Sequence, residues 1–139
     1  KKNFNKSLIE ELVSGARIHY CATQEAELCK YVRNCFLATK VSFFNEIYEF
    51  CEKSNLDYEE VKHLTLLDKR INSSHTQIPG PDGKKGFGGT CFPKDMSSLN
   101  HQMAEKEILS YIIASAISRN KETDRTEQDW KKDKGRAVS

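Results

Sequence analysis

Hydrophobic residues recur with a helical period along most of this chain. The longest stretch runs from Thr23 to about Cys51 without Gly or Pro, which predicts one long helix with Thr23 as its N-cap. Two apolar stripes follow it. The first contains Leu28, Tyr31, Val32, Cys35, Phe36, Thr39, Phe43, Ile47 and Phe50; the second contains Leu37, Val41, Phe44, Tyr48 and Cys51. A surface helix needs one stripe, so two stripes predict burial on two sides, in a bundle centre or a subunit interface.

Three shorter helices are predicted after the long one, and we therefore expect an all-α fold. Asp57 followed by Glu60 has the spacing of a capping box, which marks a helix start. Pro93 suits the first position of a later helix. These helices are expected over residues 57–67, 93–105 and 107–120. The charged segment 121–139, with Trp130 as its only large anchor, is expected to be loosely ordered.

The beginning of the chain has a different pattern. Phe4, Leu8, Ile9 and Leu12 have helical spacing, and an alternating, strand-like stretch follows at residues 16–21. A single strand is not stable alone, and the sequence does not open with Met. We therefore expect residues 1–21 to be the end of an upstream domain that contains a sheet, and the chain to be part of a longer protein.

Composition and charge exclude several classes of function. The chain has 139 residues, which suits one main domain, and its net charge of +2 is too small to predict binding to nucleic acid or to an anionic membrane. No apolar run has the length of a membrane span. The five cysteines form no C-x-x-C pair and have no histidine at zinc-binding spacing, so no metal site is expected. An odd number of cysteines is typical of reduced thiols in the cytoplasm.

The decapeptide "GFGGTCFPKD", residues 86–95, is the strongest candidate for chemistry. It closes a long loop with five glycines and two prolines, and loops of that length are usually functional or disordered. Cys91 lies near a predicted helix N-terminus and near Lys94, and both features favour the nucleophilic thiolate. Asp95 is placed to accept a proton or to position water. A small buried cysteine is the plainer interpretation, which we apply to the other four. Neither a Walker nor a Rossmann phosphate-loop motif is present.

The decapeptide resembles the catalytic-cysteine signature of the UDP-glucose 6-dehydrogenases, within the UDP-glucose/GDP-mannose dehydrogenase family. "EAELCKYVRNCFLATKVSFFNEI", residues 25–47, is similar to the family's long central helix, and "LLDKRI" and "HTQIPGPDGKKGFGG" are similar to the segment before the cysteine. The resemblance covers most of residues 22–120. It implies a helical central domain of the 6-phosphogluconate dehydrogenase C-terminal-like type, after an NAD-binding Rossmann domain. It also implies a homodimer formed through helix 23–51.

The resemblance implies an activity and roles for individual residues. The C6 alcohol of a nucleotide sugar is oxidised twice, with two NAD, through a thiohemiacetal and a thioester on Cys91. Lys30 and Asn34, which share one helix face, stabilise the reacting oxygen, and Asp95 orients water. The implied substrate-binding residues are Gly86, Phe87, Gly88 and Arg70, with Arg70 reaching the sugar bound by a neighbouring subunit; Lys94 is expected near the cofactor.

Several alternatives remain open from the sequence. The resemblance implies UDP-glucose or a close relative as substrate: Phe92 after the cysteine differs from the Leu of the GDP-mannose branch, and Thr90 before it differs from the His of the N-acetylmannosamine branch. The printed residues contain no dinucleotide fingerprint, so we expect this chain alone to be inactive. A helical dimerisation module without catalysis is a second reading. A third is a cysteine hydrolase that uses His75 or His101 as its base.

Overall fold

The computed structural model describes residues 20–132. The helix and strand predicted for the start of the chain lie almost wholly outside these residues. The described part contains helices α1 (Thr23–Ser54), α2 (Tyr58–Thr65), α3 (Cys91–Glu105) and α4 (Tyr111–Arg119), a π-helical turn (Asn120–Asp124) and a 3-10 turn (Asp129–Lys132). Residues 20–132 contain no strand, which confirms the predicted all-α fold. No helix among them is long and apolar enough to cross a membrane.

Helix α1 is the long helix that the apolar stripes predicted, but its N-cap is Ala22 rather than Thr23. The backbone N–H of Ala22 donates to the side chain of Glu25 at 3.1 Å, so the acidic first turn caps the helix. At the other end Asn55 adopts a left-handed conformation with φ of 55°. Asparagine tolerates that conformation better than most residues, which explains why α1 ends there.

Helices α2 and α3 begin close to the predicted positions. The side chain of Asp57 accepts hydrogen bonds from the backbone of Glu59 at 2.8 Å and of Glu60 at 3.5 Å, as an N-cap does. Helix α3 begins at Cys91, close to the predicted start near Pro93, but proline occupies its third residue rather than its first. The first four N–H groups of a helix have no partner within it, and proline is therefore tolerated at its third residue. Cys91 lies inside the first turn of α3.

The end of the chain departs most from expectation. Helix α4 begins at Tyr111, because Glu107 has a left-handed φ of 59° that a helix cannot contain. Residues 133–139 of the segment expected to be loosely ordered lie outside the described residues, and its described part instead forms turns over residues 120–124 and 129–132. Its anchor is Arg125, which is only 4 % exposed, whereas Trp130 is half-buried. The buried charge of Arg125, with carboxylates close to it, orders this segment. The composition of the segment does not indicate such a contact.

Two apolar clusters form the core beside α1. The first joins α1, α3 and α4 and contains Cys35, Ala38, Phe87, Met96, Leu99 and Ala116. The second joins α1, α2 and the following loop and contains Phe44, Cys51, Tyr58 and Ile78. The end of the glycine-rich loop is therefore part of the core, because Phe87 packs in the first cluster.

One side of α1 remains exposed in the single chain. Its buried residues are Cys35, Ala38, Ser42, Phe44, Asn45 and Cys51. Most of the first predicted stripe lies open, with exposures between 49 % and 67 % for Leu28, Val32, Phe36, Phe43 and Phe50. A row of exposed apolar residues of this extent is typical of an interaction surface.

Candidate active site

The loop that joins α2 to α3 is fixed to α1 and α2 by polar contacts. The ammonium of Lys40 donates to the carbonyl of Asn72 at 2.6 Å and to its side-chain oxygen at 3.1 Å. Burial lowers the pKa of Lys40 from its ordinary value. The buried hydroxyl of Tyr58 donates to the carbonyl of Thr76 at 2.6 Å. These bonds hold the start of the loop in one conformation, although it contains no regular secondary structure.

The glycine-rich end of the loop is held by two buried asparagines. The backbone N–H of Gly86 donates to Asn45 of α1 at 3.2 Å. Asn120 binds Phe87 on both sides of its backbone: it accepts from the N–H at 2.7 Å and donates to the carbonyl at 2.9 Å. The ring of Phe87 is buried in the core. Of the predicted substrate-binding residues 86–88, a ligand can therefore meet main chain but not the aromatic ring.

Cys91 is exposed at the first residue of α3. Its sulfur lies 3.9 Å from the hydroxyl of Thr90. The unpaired N–H groups of a helix N-terminus carry partial positive charge, which favours an anion beside them. Cys91 also lies one helical turn from Asp95, so both side chains project from the same face of α3. The prediction that the thiol lies near a helix N-terminus is thus confirmed.

Asp95 and Asn34 are joined across the α1–α3 packing. Asp95 is fully buried, and its Oδ2 accepts a hydrogen bond from the amide of Asn34 at 2.5 Å. The ammonium of Lys94, 32 % exposed, lies 3.6 Å from the other oxygen, Oδ1. Oδ1 has no hydrogen-bond partner among the described residues. A buried carboxylate oxygen without a donor is rare in folded proteins and calls for a functional explanation.

The other two predicted site residues are exposed. Lys30 lies one turn from Asn34 along α1, on the same face of that helix. Arg70 follows α2, and its side chain is 89 % exposed. Its guanidinium bonds Asp68, with the shortest contact at 2.6 Å. These hydrogen bonds hold the pKa of Asp68 below its usual range. The structure therefore joins Asn34 with Asp95, and leaves Lys30 and Arg70 facing solvent.

Cys35 touches the site in a way that its sequence pattern did not indicate. The thiol is buried and donates a weak hydrogen bond to the backbone carbonyl of Asp95 at 3.6 Å. Burial, and secondarily the charge of Asp95, raises the pKa of Cys35 to about 11. At neutral pH it is thus a protonated, enclosed thiol. The apolar stripe in which it lies predicted its burial but not its contact with Asp95.

Neither histidine proposed for a hydrolase is hydrogen-bonded to the thiol among the described residues. The ring of His75 packs at a tilt of 48° against Phe92, the neighbour of Cys91, with centroids 5.6 Å apart. His101 lies 3.4 Å from Glu105 on the exposed side of α3. Among the described residues, the sulfur of Cys91 has Thr90 as its hydrogen-bonding neighbour and neither histidine. Residues 20–132 also contain no group of three His, Cys, Asp or Glu side chains that could hold a metal ion.

Fold and site together define a class: a helical domain in which a glycine-rich loop presents an exposed cysteine at a helix N-terminus, one turn from a buried carboxylate. The chain belongs to the UDP-glucose/GDP-mannose dehydrogenase family, whose central-domain profile matches residues 24–122. This confirms the resemblance noted in the sequence.

Individual relatives agree with the family assignment. The chain is 41 % identical over 109 residues to a UDP-glucose 6-dehydrogenase of Rickettsia bellii, a match that covers 78 % of this chain and 24 % of that protein. It is 43 % identical over 114 residues to the UDP-glucose 6-dehydrogenase YwqF of Bacillus subtilis, covering 81 % and 25 %. For a Pseudomonas aeruginosa UDP-glucose 6-dehydrogenase the values are 38 % over 104 residues, covering 75 % and 22 %. The chain thus spans about a quarter of the length of these curated relatives.

Proposed function

We propose that this chain is the central, cysteine-bearing domain of an NAD-dependent UDP-glucose 6-dehydrogenase, preceded by the end of a Rossmann domain within residues 1–21. The reaction would convert the C6 alcohol of the sugar to a carboxylate. Two hydrides leave C6, one water is consumed and three protons are released. The observation that carries the proposal is Asp95, a fully buried carboxylate one turn from an exposed thiol. One of its oxygens is held by Asn34, and the other has no donor within residues 20–132.

Cys91 is the proposed nucleophile. Its thiolate adds to the C6 aldehyde, forming a carbon–sulfur bond and an alkoxide, the anion of a thiohemiacetal. Loss of the second hydride from that carbon leaves a thioester. The helix N-terminus and the ammonium groups of Lys30 and Lys94 favour the negative charge on oxygen in this step. Asn34 lies one turn from Lys30 on α1. Its amide either orients the alkoxide oxygen or holds Asp95 in position.

Asp95 is proposed to orient the water that hydrolyses the thioester. Asn34 holds Oδ2, which leaves Oδ1 to accept a hydrogen bond from water. Water attacks the thioester carbon and the carbon–sulfur bond breaks, which yields the carboxylate and regenerates the thiolate of Cys91, while the two protons of the water are released to solvent. Burial among helices keeps the carboxylate in one orientation, which makes it a better positioning group than a mobile surface acid.

NAD, when bound, supplies the hydride acceptor. The fit of the described residues to this cofactor is limited to one candidate, Lys94, whose partly exposed ammonium beside Asp95 suits a neighbouring anionic or carbonyl group. The printed sequence has no dinucleotide fingerprint, and we therefore propose that the chain alone does not turn over. Free thiols at all five cysteines support a reducing compartment such as the cytoplasm.

The substrate is proposed to be UDP-glucose or a close 6-hydroxy nucleotide sugar. Phe92 follows the cysteine, as noted above, and packs edge-on to Phe87 with centroids 6.5 Å apart. The main chain of Gly86 and Gly88 is proposed to contact the sugar, since the ring of Phe87 faces the core and its backbone N–H and carbonyl are bonded to Asn120. Arg70, exposed and held by Asp68, is proposed to reach the sugar in a neighbouring subunit.

A homodimer formed through α1 is part of the proposal. The open apolar stripe of α1 and the exposed Leu109 and Ile112 support it. Sedimentation of the chain is expected to show a dimer, and Phe36→Glu is expected to give monomers. Arg33→Glu, on the same helix outside the stripe, is the control and should leave the dimer intact. Monomers in the unchanged protein would contradict this part of the proposal.

The activity is tested by a graft. Residues 24–122 replace the matching segment of the Bacillus subtilis relative, and NADH formation from UDP-glucose is measured. We expect two NADH per sugar, and loss of turnover in the same graft with Cys91→Ser. A folded graft that forms no NADH, beside an active unmodified relative, would refute the dehydrogenase and leave the helical dimerisation module. NADH formation from GDP-mannose but not from UDP-glucose would assign the chain to the GDP-mannose dehydrogenase branch of the family.

A further inference from the structure

The segment after α4, residues 120–129, lies across the glycine-rich loop and is called the strap below. Its first residue, Asn120, is 1 % exposed. The amide of Asn120 bonds both the N–H and the carbonyl of Phe87, so all the hydrogen-bonding groups of that residue's backbone are tied to the strap. A residue bound in this way cannot rotate its peptide groups without breaking two buried hydrogen bonds, each costly to lose.

The strap approaches the loop so closely that side chains are excluded from it. A Cβ atom at Gly86 would meet the side-chain oxygen of Asn120 and would lie 3.0 Å from the Cβ of Asp124. A Cβ atom at Gly88 would lie 2.6 Å from Nη2 and 2.7 Å from Nε of Arg125. Gly88, unlike Gly86, does not have a left-handed φ. Contact with Arg125, rather than backbone conformation, is therefore what requires glycine at position 88.

Arg125 is anchored from two sides. Its guanidinium lies 2.7 Å from Asp82, which precedes the glycines, and 2.8 Å from Asp129 at the end of the strap. Nε donates to Asp129 at 2.8 Å as well. Lys84 of the loop adds a second bridge to Asp129 at 2.7 Å. A buried guanidinium paired with two carboxylates in this way is a rigid fixture, because its planar fork matches their geometry.

We propose that the strap sets the conformation of the glycine-rich loop, with Asn120 and Arg125 as positioning residues for the backbone of residues 86–88 and for Cys91. Only Gly89 and Thr90 lie between Gly88 and Cys91, so displacement of that backbone moves the start of α3. A glycine-rich segment without such contacts samples many conformations and presents the thiol in many orientations. The catalytic consequence rests on the proposed function, whereas the conformational consequence does not.

The decisive test is whether a second substitution in this chain suppresses the effect of the first. Gly88→Ala should lower the melting temperature and speed hydrogen exchange at the amide of Phe87, because the new methyl group collides with Arg125. Arg125→Ala removes the obstacle. We expect the double variant to resemble Arg125→Ala alone, with no added loss from the alanine. Gly80→Ala is the comparison in the same loop: its Cβ would lie 3.3 Å from Oδ1 of Asp82, a milder contact than the one with Arg125, and it should cost less than Gly88→Ala. Additive losses in the double variant would overturn the proposal.

A second variant separates positioning from general stability. Asn120→Ala is expected to raise the exchange rate of the Phe87 amide about tenfold or more. The amide of Ile71, which bonds the carbonyl of Asp68 at 2.9 Å in a part of the loop that the strap contacts above do not involve, should keep its rate. Asn120→Asp retains the acceptor for the Phe87 N–H and should restore part of the protection. Equal acceleration at both amides would indicate general unfolding and contradict the positioning role.

The enzyme readout is then added in the graft extended to residue 132. Gly88→Ala is expected to lower kcat about tenfold or more through misplacement of the thiol, and Arg125→Ala in the same graft should relieve part of that loss. If amide exchange responds as expected but the graft forms no NADH, the proposed function is refuted and the positioning role of the strap stands. If the graft is active but neither amide exchange nor kcat responds to the substitutions, the positioning role is refuted and the proposed function stands.

Discussion

Replacing Asn34 by alanine should destabilise the protein, because Asn34 is the one hydrogen-bond donor to the buried side chain of Asp95 among residues 20–132. Asp95 is fully buried, its Oδ2 accepts from Asn34 at 2.5 Å, and its Oδ1 has no donor among the described residues. After Asn34→Ala the carboxylate keeps only the ammonium of Lys94, 3.6 Å from Oδ1. A buried acceptor that loses its partner retains the full cost of leaving water.

The magnitude follows from the kind of bond. A hydrogen bond to a charged group contributes about 1.5–3 kcal/mol, and orphaning a buried charged acceptor costs at least as much. We expect Asn34→Ala to lower the free energy of unfolding by about 2–3 kcal/mol, which corresponds to a drop of roughly 10 °C in melting temperature for a domain of this size. In an Asp95→Asn background the same change breaks a neutral bond and should cost about 1 kcal/mol.

The assay is urea unfolding of the unchanged protein, the two single variants and the double variant. Arg33→Ala, at an exposed neighbouring position of α1, controls for the effect of alanine on the helix itself. A coupling of about 1–2 kcal/mol between positions 34 and 95 is expected. If Asn34→Ala costs the same in both backgrounds, the cost does not come from the buried charge and the reasoning fails.

Three further predictions concern a thiol, the core and the response to acid. Alkylation at pH 8 is expected to modify Cys91 while Cys35, buried and with a pKa of about 11, stays protected until the protein unfolds; equal rates would refute this. Met96→Ala should cost about 2–5 kcal/mol, against about 0.5 kcal/mol or less for the exposed Leu109→Ala, as measured by urea unfolding. Hydrogen bonds to Arg125 and Lys84 hold the pKa of Asp129 below its ordinary 3.8. The ionised carboxylate of Asp129 therefore contributes fully to stability at any pH above its ordinary pKa. This contribution is lost as the pH falls through the lower pKa that Asp129 has in the folded protein. Asp129→Asn should lose that part of the acid transition in a pH titration of melting temperature, and an unchanged acid transition would refute the assignment.

Local signals predicted the helices well but their ends less well. The uninterrupted period from Thr23 onward and the Asp57 cap both rely on contacts within a few residues, and both α1 and α2 formed as expected. The start of α3 was predicted only approximately, because proline fits any of the first helical positions. The late start of α4 depended on the left-handed conformation of Glu107, which no pattern in its neighbourhood indicated.

In the candidate site, too, features formed by neighbouring residues were predicted and features formed by distant residues were not. Cys91, its glycines and its neighbouring charges stand together in ten residues, so their type and order indicated a nucleophile. The bond between Asn34 and Asp95 joins residues 61 positions apart and depends on how α1 packs against α3. The role of Asn120 and Arg125 was missed for the same reason, since their partners lie in a loop more than thirty residues earlier.

The sequence by itself determined an all-α chain with one long helix, a family, and a cysteine in a glycine-rich loop. These features depend on periodicity, composition and contiguous motifs, which a linear chain displays directly. Only the tertiary structure decided that Asp95 is buried with one oxygen that has no donor in the described part of the chain, that Cys35 is enclosed, and that residues 120–129 contact the loop. These properties depend on which residues, far apart in the sequence, pack together and exclude water. Only the three-dimensional packing decides which residues those are.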